Sequence, residues 1–247
     1  MNARKQIGFD RRLELDWLEQ AAKLTVEEKG SDYVRRNLLT FLDGKVAGCD
    51  RTDSACGKAV RLLSRIWLNV YPDVVDLRDR SIEVFPQISV KERLVLHWAL
   101  CLAGFRFFGD VASYAGRLLH LQGSFTTFQI MRRLQEEWGE RSTLKFASQR
   151  ALSSMVNWGT LGHTEDQGVY TNVAEETVAD EILAEILLEG LLIYEGKAVT
   201  ISQARNHPAL FPFNVSLSLA QIRESAVFEV HRQGLDMDVI QLVADNR

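Results

Sequence analysis

The chain has 247 residues, of which 46% are hydrophobic and 25% charged, a composition typical of globular proteins. This length allows one large domain or two small ones, with a core large enough to need no metal or disulfide. The net charge of −4 argues against a protein that coats nucleic acid through bulk positive charge.

Three cysteines, Cys49, Cys56 and Cys101, match neither a disulfide framework nor a zinc-site spacing. They predict reduced thiols in a cytoplasmic protein. The first seventeen residues lack the apolar centre of a signal peptide. The most apolar run, Leu94–Phe108, is too short to cross a bilayer and contains His97 and Arg106. We therefore expect no signal peptide and no membrane span.

Charge is distributed unevenly along the chain. Residues 91–150 carry nine basic and five acidic side chains, whereas residues 151–200 carry one basic and nine acidic. A basic block followed directly by an acidic one suggests a protein with one basic face and a separate acidic face.

The N-terminal region, residues 1–88, is predicted to be helical. Apolar residues recur at helical spacing from Leu13 to Leu24, from Asp32 to Leu42 and from Ala59 to Tyr71, where Pro72 ends the pattern. The segment 73–80 alternates three aspartates with two arginines. It could imitate an acidic nuclease site, but a solvated loop with local ion pairs is the favoured interpretation.

The central region, residues 89–173, has the element order of a winged helix-turn-helix. Capping boxes at Ser89/Glu92 and Thr126/Gln129 each predict a helix start. Gly109-Asp110 is predicted to end one helix and cap the next. A tight turn at 139–142 separates the helix 127–138 from a helix 143–158, for which Ser142 is the expected N-cap. Two short segments around the polar tip 164–168 then predict a β-hairpin.

The helix 143–158 carries the candidate interface. Leu144, Ala147, Ala151 and Met155, widened by Leu152 and Val156, are its predicted buried stripe. The opposite side offers Lys, Arg and Gln, which hydrogen-bond base edges and phosphates, and no acidic residue; Ser148 and Ser153 are expected there too. The N-terminal end of the second helix of such a motif enters the major groove, and the preceding helix reaches the DNA backbone. The predicted DNA-binding residues are Arg132, Arg133, Arg141, Ser142, Lys145, Gln149 and Arg150.

The C-terminal region, residues 174–247, is predicted to be α+β and packed on the rest. It has an acidic helix at 175–189 with Leu183, Ile186 and Leu187 inward, and a short strand near 197–201. An extended aromatic segment follows at 207–219, where Ser218 and Gln221 suggest a short helix start. A terminal strand pair is expected from 228–232 and 236–242, with Gly234 in its turn.

Enzymatic motifs are absent from the sequence. None of the five histidines pairs with another ligand at a metal-binding spacing, and His97 is predicted to be a core residue. No nucleophile elbow, Walker loop or dinucleotide fingerprint occurs. We therefore expect a protein that is not an enzyme and has no catalytic residues, metal site or cofactor.

The run from Val95 to Leu161 resembles BrxA, the small accessory protein of bacterial BREX phage-defence systems. The resemblance implies a helical protein whose winged-helix part binds double-stranded DNA without catalysis. It also implies protein partners within the defence system: a methyltransferase, an ATPase and a phosphatase-like factor. A similarity of the family to an RNA-binding antitermination fold keeps RNA as a possible ligand. The matching landmarks are His97-Trp98, Phe107–Asp110, Gln129–Arg133, Trp138-Gly139, Arg141-Ser142, Arg150, Trp158-Gly159, Leu210–Phe213 and Val230–Val243.

Three functional hypotheses follow from the sequence. The first is a DNA-binding accessory protein that contacts duplex DNA through the helix 143–158. The second is an interaction scaffold that binds protein partners through the acidic helix 175–189, the N-terminal helices and the aromatic segment 207–213. The third is a transcriptional regulator of its own operon. The acidic tip of the hairpin, Glu165-Asp166, would repel phosphate and weighs against the first.

Overall fold

A computed structural model describes residues 6–27, 29–166, 168–233 and 237–243 of the chain. Within these residues it contains eleven α-helices and eight short strands. The predicted mainly α fold is therefore confirmed.

The N-terminal region is a helical cluster, in which α1, α2 and α3 pack on one another. The Ser54 side chain caps α3 by accepting a hydrogen bond from the Gly57 amide, which places the start of the helix before its predicted position. The helix also ends at Trp67, well before Pro72. The helices are α1 (Leu15–Val26), α2 (Ser31–Leu42), α3 (Ala55–Trp67) and α4 (Val75–Val84).

Helix α4 occupies the segment for which a solvated loop was predicted, so that prediction is wrong. Leu77 and Ser81 are buried on one side of α4. Arg78 donates to the Leu68 carbonyl at 2.8 Å, and Arg80 forms ion pairs with Glu185 and Glu189 of the C-terminal region. The charged residues of this segment therefore belong to a helix, and Arg78 and Arg80 have partners outside that helix.

The cysteines differ from expectation. Cys49 and Cys56 are joined by a disulfide that ties the loop after α2 to the first turn of α3. Cys101 is a free, buried thiol whose pKa is raised by burial. The prediction of three reduced thiols is wrong for the first two, because their approach depends on a loop conformation that spacing alone did not reveal.

The central region contains four helices and a three-stranded antiparallel sheet. In the sheet β3 is the middle strand, paired with β1 on one side and β2 on the other. The predicted β2–β3 hairpin is confirmed; Gln167 of its tip lies outside the described residues. The elements are α5 (Arg93–Gly104), α6 (Arg106–Gln122), β1 (Ser124–Thr126), α7 (Thr127–Trp138), α8 (Ser142–Asn157), β2 (Leu161–His163) and β3 (Val169–Asn172).

The predicted helix break at Gly109-Asp110 is wrong. The chain bends at Phe105, whose backbone is extended, and α6 continues through both residues. A Cβ on Gly109 would lie 2.4 Å from ring atoms of Tyr194. The glycine therefore permits close packing against the C-terminal region and does not end a helix.

The C-terminal region wraps a long buried helix with small sheets. The predicted helix at 175–189 is displaced, because the Asp180 side chain caps α9 by accepting from the Leu183 amide. Strands β4 and β6 pair in parallel, and β8 lies between β5 and β7. The predicted terminal strand pair is confirmed; its turn at Gly234 lies outside the described residues. The elements are β4 (Glu176–Val178), α9 (Glu181–Glu195), β5 (Val199–Thr200), α10 (Ile201–Arg205), β6 (Phe213–Val215), α11 (Leu219–Glu224), β7 (Phe228–Gln233) and β8 (Met237–Leu242).

The buried side chains form one cluster with members from all three regions. Helices α5 and α9 cross closely at its centre, where a Cβ on Gly190 would lie 2.6 Å from the Ala99 carbonyl oxygen. In the described part of the chain, no single helix is long and apolar enough to cross a membrane; α5 and α6 together have the length and composition but are bent by 116°.

Candidate nucleic-acid interface

Helices α7 and α8 pack against each other across a short connection. The predicted capping box at the start of α7 is confirmed: Thr126 accepts from the Gln129 amide, and the Gln129 side chain accepts from the Thr126 amide. Gly139 follows the end of α7, and α8 begins after Arg141, whose backbone is extended. Ser142 is therefore the first residue of α8, one position inside its predicted N-cap role.

Asp110 fixes the end of α7 relative to the core. Its carboxylate accepts hydrogen bonds from Trp138 Nε1 at 2.9 Å and from the Tyr194 hydroxyl at 2.7 Å. Burial raises the pKa of Asp110, although both hydrogen bonds act in the opposite direction. Three segments, α6, α7 and α9, thus meet at one side chain, and this holds the turn that precedes α8.

The buried face of α8 agrees with its predicted stripe. Leu144, Ala147, Ala151, Leu152 and Met155 are buried, whereas Val156 is half-buried. The placement of Ser148 on the outer face is wrong. Its hydroxyl donates to the Leu144 carbonyl at 2.9 Å, so the small side chain satisfies itself within the helix and packs inward.

The outer face of α8 is exposed and contains no acidic residue. Arg141, Ser142, Lys145 and Gln149 all lie in solvent, as predicted. Phe146, which the sequence did not single out, is 58% exposed beside them. Its position in the sequence, between Lys145 and Ala147 and outside the apolar stripe, would have indicated that the side chain of Phe146 is exposed.

Arg150 is less free than its position on the helix predicted. Its Nη1 donates to the Asp10 carbonyl at 2.7 Å. Residues 9–15 run beside the C-terminal half of α8, where the Leu13 amide donates to Ser154 Oγ and the Leu15 amide to Asn157 Oδ1, both at 2.8 Å. This flanking segment leaves the N-terminal half of α8 as the more open part of its outer face.

Arg132 and Arg133 on α7 are exposed, but an acidic neighbour offsets their charge. Arg132 Nε lies 3.8 Å from one oxygen of Glu136, and Arg133 Nη1 lies 3.2 Å from the other. Glu137 accepts instead from Arg106 at 3.0 Å and from the Tyr114 hydroxyl at 2.9 Å. Glu140, in the turn between α7 and α8, is exposed next to Arg141.

The β2–β3 tip is acidic and exposed, as the sequence predicted. Glu165 and Asp166 lie in solvent, and the Asp166 amide donates to Thr164 Oγ1 at 3.2 Å. Negative charge at this tip disfavours its approach to phosphate. A nucleic acid that lies on α8 would therefore have to avoid close contact with this tip.

His97 is a core residue, as predicted. It is fully buried, accepts from Trp67 Nε1 at its Nδ1, and lies 3.1 Å through Nε2 from Glu19. Because indole can only donate, Nε2 carries the imidazole proton, and burial lowers the pKa of His97. Across the described ranges, no group of three or more His, Cys, Asp or Glu side chains could hold a metal ion.

Helix α9, named in the scaffold hypothesis as an acidic surface, is mostly buried. Its residues from Leu183 to Ile193 lie in the core except for the half-buried Glu185. Glu185 and Glu189 pair with Arg80 inside the molecule. Little of this helix is therefore left to contact a partner.

Comparison of the chain with protein-family models, with curated proteins and with solved structures gave no match.

Proposed function

We propose that the central region, residues 89–173, contains a winged helix, made of the elements from α6 to β3, that binds duplex DNA through the outer face of α8. The order α6, β1, α7, α8, β2, β3 supports the proposal, because it provides two helices joined by a short turn and a β-hairpin directly after the second helix. The observation that carries the proposal is the exposed, acid-free face of α8 at the point where the motif contacts the major groove.

Each contact in the proposal follows from side-chain chemistry and position. Lys145 and Gln149 face the groove, where ammonium and amide groups hydrogen-bond base edges. Arg141, the Ser142 hydroxyl and the first amides of α8 take a phosphate, since these amides lack intrahelical acceptors and the helix dipole favours an anion. Arg150 supports this face through Asp10 and reaches the backbone with its remaining donors.

Arg132 and Arg133 contact a neighbouring phosphate in this arrangement. Their exchange of Glu136 for a phosphate oxygen costs little, because exposed ion pairs of this kind are weak. Since most of these contacts are to the backbone, binding is only weakly sequence-specific and depends steeply on salt.

The resemblance to BrxA extends the proposal to a biological role. We propose a cytoplasmic, non-enzymatic accessory protein of a BREX-like phage-defence system, with other proteins of that system as partners. The Cys49–Cys56 disulfide removes reduced thiols as a reason for the cytoplasmic location, which here follows from the resemblance alone. The disulfide lies between α2 and α3 and contributes no residue to the α8 face. RNA and a single operator site are the competing ligands.

Fluorescence anisotropy of a labelled random duplex, from low to physiological salt, tests the proposal. We expect a log-linear loss of affinity with salt. The double substitution Arg141→Glu/Lys145→Glu should weaken binding by about a hundredfold at low salt. Lys23→Glu, an exposed charge reversal on α1, is the control and should change affinity less than about threefold.

Equal affinities for the double variant and wild type, with both proteins folded by circular dichroism, would contradict the α8 interface. Preference for double-stranded RNA of the same sequence would favour the antitermination-like alternative. Protection of one promoter site would favour the regulator. No binding of any nucleic acid would favour the scaffold.

A further inference from the structure

A cleft of about 770 Å³ lies between α6 and the segment from Arg205 to Asn214, and no residue of α8 lines it. This volume lies within the range of small-molecule sites in proteins. Its lining combines two chemistries, a cationic rim and an apolar floor, and the function proposed above uses neither.

The cationic rim comes from two parts of the chain. Arg117 and His120 are exposed one turn apart on α6, and neither has an acidic partner among the described residues. Arg205 lies opposite; its Nη2 donates to the Leu217 carbonyl, which leaves a buried Nε with no hydrogen-bond partner. The half-buried guanidinium of Arg205 adds positive charge to the rim, and guanidinium groups bind phosphate through charge-assisted hydrogen bonds.

The remaining charged groups of the cleft leave this rim positive. His207 accepts from the Ala209 amide through Nδ1 and lies 3.1 Å through Nε2 from Glu195, so both of its ring nitrogens are occupied. Glu175, exposed at the edge, is the one carboxylate in the lining. Two arginines therefore face a single acidic side chain.

The floor is apolar and the sides offer amides. Leu119, Leu210 and Phe213 are buried beneath the cleft, and Phe211 is half-buried beside them. Asn172 and Asn214 are exposed in the lining. An asparagine amide both donates and accepts, which suits the edge of a heterocyclic base.

We propose that this cleft binds a nucleotide. The phosphate lies on Arg117, His120 and the guanidinium of Arg205, and the base lies over the apolar floor with its edge towards Asn172 or Asn214. A small inorganic anion would contact only the cationic rim and would leave the apolar floor exposed to water. The site is separate from α8, so the proposal does not depend on DNA binding.

Isothermal titration calorimetry of the full chain tests this with AMP, GMP, CMP and UMP, and with adenosine and inorganic phosphate as partial ligands. We expect at least one nucleotide to bind about tenfold or more tightly than either partial ligand, because rim and floor act together. Arg117→Glu should weaken that nucleotide by about tenfold or more. Arg36→Glu, an exposed charge reversal on α2, should leave it unchanged.

Three results would overturn the proposal. Phosphate that binds as tightly as every nucleotide would make the cleft a simple anion site. If no nucleotide gave binding heat at millimolar concentration, the cleft would not be a nucleotide site. Loss of duplex affinity in Arg117→Glu, without nucleotide binding to wild type, would assign the cleft to a nucleic-acid surface instead.

Discussion

Helices α8 and α9 are similar in length, 16 and 15 residues, but they use their charges in opposite ways. Lys145 of α8 is exposed, Arg150 is half-buried beside the Asp10 carbonyl, and the helix contains no acidic residue. The glutamates Glu185 and Glu189 of α9 turn inward and pair with Arg80 on α4. Charge in a sequence thus indicates a surface only when the tertiary structure leaves it unpaired.

The largest expected effect concerns the pairing of α9. Arg80→Met should lower the free energy of unfolding by about 3 kcal/mol, because it leaves Glu189 buried without its partner. Urea denaturation followed by circular dichroism measures this. Lys145→Met on α8 should change the same quantity by less than about 0.5 kcal/mol.

A double variant tests whether the loss of stability comes from the unpaired charge of Glu189. Arg80→Met/Glu189→Met removes both charges and should recover part of the loss, since an apolar pair carries no desolvation penalty. Equal stability of the single variant and wild type would mean that the charges of α9 are as dispensable as those of α8.

The crossing of α9 over α5 gives the next largest effect. Gly190→Ala should destabilise the protein by about 2 kcal/mol, because the new methyl group meets the Ala99 backbone, which cannot rotate away. Alanine is otherwise the better helix former, so a stabilised variant would show that the helices can separate. Gln149→Ala on α8 should be neutral within about 0.5 kcal/mol in the same assay.

Local patterns predicted the elements that local chemistry controls. The capping box at Thr126/Gln129 placed the start of α7, and the apolar stripe from Leu144 to Met155 placed the buried face of α8. Both depend on residues within four positions of one another, so the sequence alone contains the needed information.

Features set by distant residues were not predictable in this way. The sequence predicts a helix break at Gly109, because the residue that packs against it, Tyr194, lies far along the chain. The charged residues of α4 predict a loop, because the partners of Arg80, Glu185 and Glu189, lie about a hundred residues away in the sequence. At the candidate site, helical spacing predicts an exposed Arg150, because it contains no information on the distant Asp10 carbonyl that accepts its hydrogen bond.

Acid should weaken the protein through His97 on α5 and Glu195 on α9, whose pKa values are both lowered in the fold. His97 is buried with a lowered pKa, so its stabilising effect is complete above about pH 6.5 and declines as the pH falls. The hydrogen bond from His207 lowers the pKa of Glu195 to about 2, so its contribution is complete above pH 4.5 and is lost on acidification towards pH 2.

The variant Glu195→Gln distinguishes the pH range in which Glu195 contributes to stability from the range in which His97 contributes. It should lower stability at pH 7 by about 1 kcal/mol, a modest effect because solvent partly screens the pair, and flatten the pH dependence between 4.5 and 2. Thermal melts across pH measure both effects. An unchanged acid profile in Glu195→Gln would mean that the pair with His207 does not stabilise the fold.

The smallest expected effect is on the DNA affinity contributed by the arginines of α7. Glu136 pairs with both Arg132 and Arg133, so Glu136→Gln should free two arginines and raise duplex affinity by about threefold at low salt. Glu224→Gln, at an exposed residue of α11, makes the same change in net charge and is the matched control. A gain in Glu136→Gln alone would place α7 beside the DNA backbone, because net charge is equal in the two variants. Equal gains would mean that these arginines act only through long-range charge, and the contact would then be confined to α8.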